Sequence, residues 1–156
     1  MQGIRGAVAV MLVAAGCGSD GGDDTTERSA QVYEAILAAV VVDEARPADD
    51  AAPVIYAVAD GTDPIPLAVQ AHVADAMKDD ADVRFADSRA DVIDESDVRE
   101  PVDDGAVLVL LGPVPERGRR VQVPVEVYRE KTDQHSFVVT VMQSGDRWTV
   151  RSTDPS

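Results

Sequence analysis

The chain has 156 residues, of which 45% are apolar, and this suits one globular domain with a single core rather than a disordered chain. Its formal charge of −15 at pH 7 disfavours binding to nucleic acid and long-range electrostatic docking on anionic lipid. The single cysteine excludes an internal disulfide and a zinc site built on several thiolates.

The first 16 residues have the layout of a secretory leader. Arg5 supplies a positive charge, and Ala7–Ala15 form an apolar run far shorter than the roughly 20 residues of a transmembrane helix. The motif LVAAGC at its end, Leu12–Cys17, resembles the lipobox of bacterial lipoproteins. This resemblance implies that residues 1–16 are removed, that Cys17 carries a diacylglyceryl group, and that the mature protein is anchored at the extracytoplasmic face of the cell membrane.

The motif departs from the usual lipobox at one position, because Ala14 stands where Leu is commonest. The alternative to lipidation is a plain secretory leader that leaves a free thiol at Cys17. If lipidation occurs, several acyl chains on one residue anchor a protein stably, whereas a single chain binds a membrane only marginally.

A tether and a helix are predicted next. Residues 17–26 are rich in Gly, Asp and Ser and predict a flexible tether. Residues 27–45 predict a helix with one apolar face and Asp24 or Thr26 as its N-cap. A single domain is therefore expected over residues 27–156.

A strand, a helix and a second strand are predicted next. Residues 53–59 favour a strand, residues 64–80 a helix, and residues 82–86 a short strand. Asp63 is the expected N-cap of the helix, with Pro64 at its first position. This order predicts a parallel crossover between the two strands.

The remaining residues predict a loop and then strands. Residues 88–104 favour a loop that includes one helical turn, whereas Ala106–Val114 form a near-continuous apolar run, typical of a strand covered on both faces. The last third predicts a meander of strands joined by turns at residues 130–134 and 144–147. Pro124 predicts that its strand lies at a sheet edge or is bulged.

The elements together predict an α+β domain. We expect a mixed, mainly antiparallel sheet of about five or six strands, with two helices packed on one face. The C-terminal meander, which ends in Trp148–Val150, loosely resembles the closing strands of cystatin-like and NTF2-like domains. The preceding strand–helix–strand segment fits those families poorly, so the resemblance implies no site residues.

No catalytic motif is recognisable in the sequence. His72 and His135 are the only histidines, and neither belongs to a ligand or catalytic pattern, so both are interpreted as surface or satisfied polar residues. We therefore expect no catalytic residues, no metal ligands and no cofactor. Cys17 is the one predicted site residue, as the point of lipid attachment.

Two loops could still carry a ligand. Asp60–Asp63 joins a strand end to a helix start, where backbone donors can bind an anion, although helix capping explains the same residues. The arginines at positions 117, 119 and 120 either bind an acidic partner or form a solvated turn: Arg117, Arg119 and Arg120.

Residues 75–104 contain 12 acids and four bases. A solvated acidic face and a calcium site both fit this composition. The spacing does not match an EF-hand loop, and no glycine lies between Gly61 and Gly105 to turn a chelating loop. We therefore favour the solvated face.

The leading hypothesis is a non-enzymatic, lipid-anchored envelope domain that binds a protein or a small ligand. One alternative is a secreted enzyme that works through paired carboxylates, for example on glycans. Another is an accessory or inhibitor-like domain. A deep cleft with two convergent acids would favour the enzyme, and a groove or flat face would favour binding.

Overall fold

The computed structural model describes residues 20–47 and 51–156. The whole predicted leader (residues 1–16), Cys17 and residues 18–19 of the predicted tether lie outside the described residues. The helical elements are α1 (Asp20–Ile36), a π-helical segment (Leu37–Val41), α2 (Val42–Ala45), α3 (Leu67–Met77) and two single 3-10 turns, Arg89–Asp91 and Asp103–Gly105. The strands are β1 (Val54–Ala59), β2 (Asp82–Phe85), β3 (Val107–Leu111), β4 (Arg120–Glu130), β5 (Asp133–Ser144) and β6 (Arg147–Pro155).

The six strands form one mixed sheet in the order β2-β1-β3-β4-β5-β6. β1 pairs in parallel with β2 and β3, and every later pairing is antiparallel. The α+β prediction is therefore confirmed, and so is the parallel pairing of the strands on either side of α3. The predicted central strand is also confirmed, since β3 lies between β1 and β4.

The main core lies between the helices and one face of the sheet. Alternate residues of the strands point into it, as in Val121, Val123, Val125 and Val127 of β4, because side chains alternate along a strand. A smaller cluster on the other face includes Leu108 and Tyr128. The segment between β2 and β3 contributes Val92 and Val102 to that cluster and so covers this part of the sheet.

The first helix begins earlier than predicted. It starts at Asp20 rather than at residue 27, so the part of the predicted tether from residue 20 onward is helical, and neither Asp24 nor Thr26 is an N-cap. The π-helical segment that follows ends in the β-branched Val40 and Val41, and the N–H of Val42 donates to Leu37 O, five residues back.

The helix α3 begins later than predicted. Its N-cap is Pro66 and not Asp63, and no side chain caps it. Pro66 disfavours the helical conformation of the residue before it, so the helix can start only after that second proline. Asp63 remains exposed in the preceding loop.

The prediction for Pro124 is wrong, because its strand β4 lies inside the sheet and its register shift occurs near Tyr128 rather than at the proline. The N–H of Gly112 donates to Pro124 O at 2.8 Å. In an antiparallel hydrogen-bonded pair, residue 124 would donate back to Gly112 O, but proline has no N–H. The hydroxyl of Tyr33 on α1 takes that place and donates to Gly112 O at 2.9 Å, in a buried position.

Close approach at this point requires glycine. A Cβ added at Gly112 would lie 2.7 Å from Pro124 Cδ, well inside van der Waals contact. Three residues, Pro124, Gly112 and Tyr33, thus meet at one point of the fold, which we call the Tyr33–Gly112 contact. It joins α1 to the end of β3.

Burial raises the pKa of Tyr33 to about 12 from its ordinary value of 10.0. The pKa of Tyr33 is thus higher in the folded state than in the unfolded state. The contribution of its neutral hydroxyl to folding stability is therefore fully present below about pH 10 and is lost as the pH rises toward 12. Tyr33→Phe should lower the free energy of unfolding at neutral pH by about 1–3 kcal/mol, since Gly112 O loses its donor. By about pH 11 the difference in unfolding free energy between the wild-type protein and Tyr33→Phe should narrow by roughly 1.4 kcal/mol.

Urea unfolding of both proteins at about pH 7, 9 and 11 measures this difference. A difference that stays constant across this range would contradict a buried, neutral Tyr33 hydroxyl.

Candidate functional site

A groove runs between α1 and the start of β6. It comprises two adjoining cavities of about 350 Å³ and 740 Å³, which share Gln31, Asp146 and Trp148. We call the pair the α1–β6 groove. Its other lining residues are Asp24, Thr25, Glu27, Arg28, Glu34, Ala35, Ala38, Ala39, His72, Glu116, Gln143, Arg147, Thr149 and Val150.

Small side chains create the space in the wider part of the groove. Ala35, Ala38 and Ala39 face it from α1 and the π-helical segment, with Val150 on the opposite wall. Such π-helical turns occur often at functional sites, because the extra residue re-aims the side chains around it. The wide part therefore has an apolar surface that a ligand side chain can contact.

Trp148 and Arg28 fix the narrow part of the groove. Trp148 is only 7% exposed, and the guanidinium carbon of Arg28 lies 4.7 Å from the centre of its ring. Nε of Arg28 donates to Pro115 O at 2.8 Å, and Nη2 donates to Gly118 O at 2.5 Å. Arg28 thereby ties α1, β6 and the loop before β4 together, and its donors are engaged by the protein itself.

Carboxylates outnumber arginines in the groove lining by five to two. They are Asp24, Glu27, Glu34, Glu116 and Asp146, against Arg28 and Arg147. Glu27 accepts a hydrogen bond from Gln31 at 3.0 Å, and Glu34 lies 3.6 Å from Nε2 of His72. The groove is thus a negatively charged surface around an apolar patch.

The structure separates the two histidines. His72 on α3 lines the groove beside Glu34, whereas His135 lies exposed near the start of β5, with Nε2 3.2 Å from Asp133. The interpretation of His72 as a surface residue agrees with its exposure, and nothing in the sequence indicates that it lies beside Glu34 of α1.

The Asp60–Asp63 loop does not form the expected helix entrance. All four residues are exposed, and the N–H of Asp60 donates to Leu111 O at 2.8 Å. Because α3 begins only at Leu67, its free backbone donors do not follow directly on Asp63. The anion-binding interpretation of this loop therefore loses its geometric basis.

The acidic segment 75–104 forms bonds mostly within itself and with nearby cations. The Ser96 hydroxyl and the backbone N–H of Ser96 lower the pKa of Asp94, and the backbone N–H of Arg99 lowers that of Asp97. Asp82 raises the pKa of Arg84, and Glu100 raises that of Lys131. Within the described residues, no group of three or more His, Cys, Asp or Glu side chains is arranged to hold a metal ion.

Comparisons of this chain with protein-family models, with curated proteins and with solved structures find no match. Among the described residues, no helix is long and apolar enough to cross a membrane.

Proposed function

We propose that the protein is a lipid-anchored extracytoplasmic domain of the cell envelope that binds a basic segment of a partner protein in the α1–β6 groove. The observation that carries the proposal is the lining of this groove, where five carboxylates line the two adjoining cavities and an apolar patch lies in the wide one. A cationic segment with apolar side chains complements both features. The lipobox-like motif at Leu12–Cys17 supports the anchoring.

Exposure of the groove carboxylates favours binding over catalysis. Asp24, Glu27, Glu116 and Asp146 are all exposed, and the side chain of Glu34 is 41% exposed. An acid–base mechanism with two carboxylates needs one of them desolvated, so that it stays protonated at neutral pH. Exposed carboxylates instead suit the recognition and steering of a positively charged partner.

The anchor is tested by Cys17→Ala. In the native host we expect the wild-type protein in the membrane fraction, and the variant either released or left unprocessed, because the thiol is the acceptor of the lipid. Fractionation and mass spectrometry measure both outcomes. An intact and unmodified Met1 on the wild-type protein would contradict the anchoring.

The groove is tested by charge reversal. A synthetic peptide that alternates lysine and leucine should bind the wild-type protein and change the fluorescence of Trp148, the only tryptophan of the chain. Glu27→Lys combined with Glu116→Lys should weaken binding by about tenfold, because two attractive charges become repulsive. Titrations at fixed ionic strength measure the dissociation constants.

The matched control is Asp79→Lys combined with Glu95→Lys, which makes the same change of charge at exposed residues outside the groove lining. A peptide that alternates glutamate and leucine provides the second control. Equal weakening by both double variants, or equal affinity for both peptides, would contradict the proposed ligand class.

A further inference from the structure

Six arginines of the described residues lack a carboxylate partner. We call five of them, all except Arg28, the arginine patch: Arg117, Arg119, Arg120, Arg147 and Arg151. Within residues 20–47 and 51–156, none of them has a carboxylate oxygen within 4.0 Å. All five are exposed. By contrast, every other described arginine or lysine except Arg28 has a carboxylate partner.

Strand pairing collects these arginines at one end of β4, β5 and β6. Arg120 begins β4 and pairs with Met142, which pairs in turn with Thr149. Arg147 begins β6, and Arg151 lies at the register shift between β5 and β6. Arg117 and Arg119 precede β4 in the loop that Arg28 holds against α1.

The part of the acidic segment around Arg99 lies away from this patch. The N–H of Lys131, just after β4, donates to Arg99 O at 2.9 Å, so residues around Arg99 meet the opposite end of β4 from Arg120. At about 3.4 Å per residue, the 11 residues of β4 span roughly 35 Å. That distance is several times the Debye length of about 8 Å at physiological salt, so the carboxylates around Arg99 scarcely weaken the field of the patch.

Among the residues whose side chains the structure describes, the four carboxylates that line the narrow part of the α1–β6 groove lie near the patch. Glu116 and Asp146 belong to the same two turns, and Asp24 and Glu27 are on α1. All four line the α1–β6 groove. The five arginines of the patch therefore outnumber these four carboxylates by one.

The patch lies close to the predicted lipid. Helix α1 begins three residues after Cys17, a stretch that spans at most about 10 Å when extended. Arg28 lies eight residues further on, about 12 Å along the helix, where it binds the loop that carries Arg117 and Arg119. The backbone of Arg28 is thus within roughly 22 Å of the residue that enters the membrane, and the Arg28 side chain binds the loop that carries these arginines.

We infer that the arginine patch contacts the anionic phospholipid headgroups of the membrane that holds Cys17. This inference rests on the proposed lipid anchor. The net charge of −15 opposes docking of the molecule as a whole, but the separation of charges along β4 lets one end bind while the other points away. An acyl anchor together with a basic patch holds a protein in one orientation, whereas an anchor alone leaves it free to swing.

The experiment places reporters at the two ends of the sheet in the lipidated protein. With Cys17 acylated, Ser144→Cys or Thr132→Cys supplies a single free thiol for an environment-sensitive fluorophore. Ser144 ends β5 beside the patch, and Thr132 lies in the turn between β4 and β5 at the other end. Each labelled protein is reconstituted into vesicles of phosphatidylcholine alone or mixed with phosphatidylglycerol.

We expect the emission of the 144 reporter to shift only in vesicles with phosphatidylglycerol, and the shift to vanish in about 500 mM sodium chloride. The 132 reporter should not respond. Arg119→Gln with Arg120→Gln should lower the ratio of docked to undocked protein about 25-fold, at about fivefold per arginine. The control, Arg46→Gln with Arg99→Gln, removes the same charge elsewhere and should keep the shift.

Flotation with the vesicles separates the two proposals. Protein that does not float lacks the lipid anchor and contradicts the proposed function. Protein that floats, but whose 144 reporter ignores phosphatidylglycerol or responds equally in both double variants, overturns the docking inference and leaves the anchor in place.

Discussion

The placement of helix α1 depends on one hydrogen bond, from the Tyr33 hydroxyl to Gly112 O. Pro124 leaves this carbonyl without a donor at the point where β3 and β4 separate, and a buried carbonyl without a partner costs about 1–3 kcal/mol. Tyr33 supplies the missing donor from another layer of the domain. The contact therefore fixes where α1 lies along the sheet, which apolar packing alone specifies poorly because it has no direction.

Both proposed surfaces follow from that placement. With Tyr33 held at Gly112, Arg28 on the preceding turns reaches Pro115 O, Gly118 O and the ring of Trp148. This closes one end of the α1–β6 groove and holds the loop that carries Arg117 and Arg119. The groove and the arginine patch thus share one support, so a change in the position of α1 would move both.

The sequence predicts elements whose signal is local, and it misses those that depend on distant partners. The apolar run of β3 and the alternating valines of β4 follow from burial and pleat, and they predict the sheet correctly. The prediction that Pro124 lies in an edge or bulged strand is wrong because the hydrogen-bond donor that replaces its missing N–H comes from Tyr33, which is 79 residues away from Gly112. The α1–β6 groove cannot be predicted from the sequence, since α1, α3 and β6 meet only in the fold. The sequence shows Arg117, Arg119 and Arg120 as one cluster, but it does not indicate that Arg147 and Arg151 lie beside them.

A double-mutant cycle between Tyr33→Phe and Pro124→Ala tests this account most directly. Alanine restores an N–H at position 124, and this N–H can donate to Gly112 O. The account predicts that Tyr33→Phe costs about 1–3 kcal/mol of unfolding free energy when Pro124 is present and much less in the Pro124→Ala background, because the carbonyl then keeps a donor. The same cost in both backgrounds would show that Tyr33 acts only through packing, and would contradict the claim that its hydroxyl replaces the missing strand hydrogen bond.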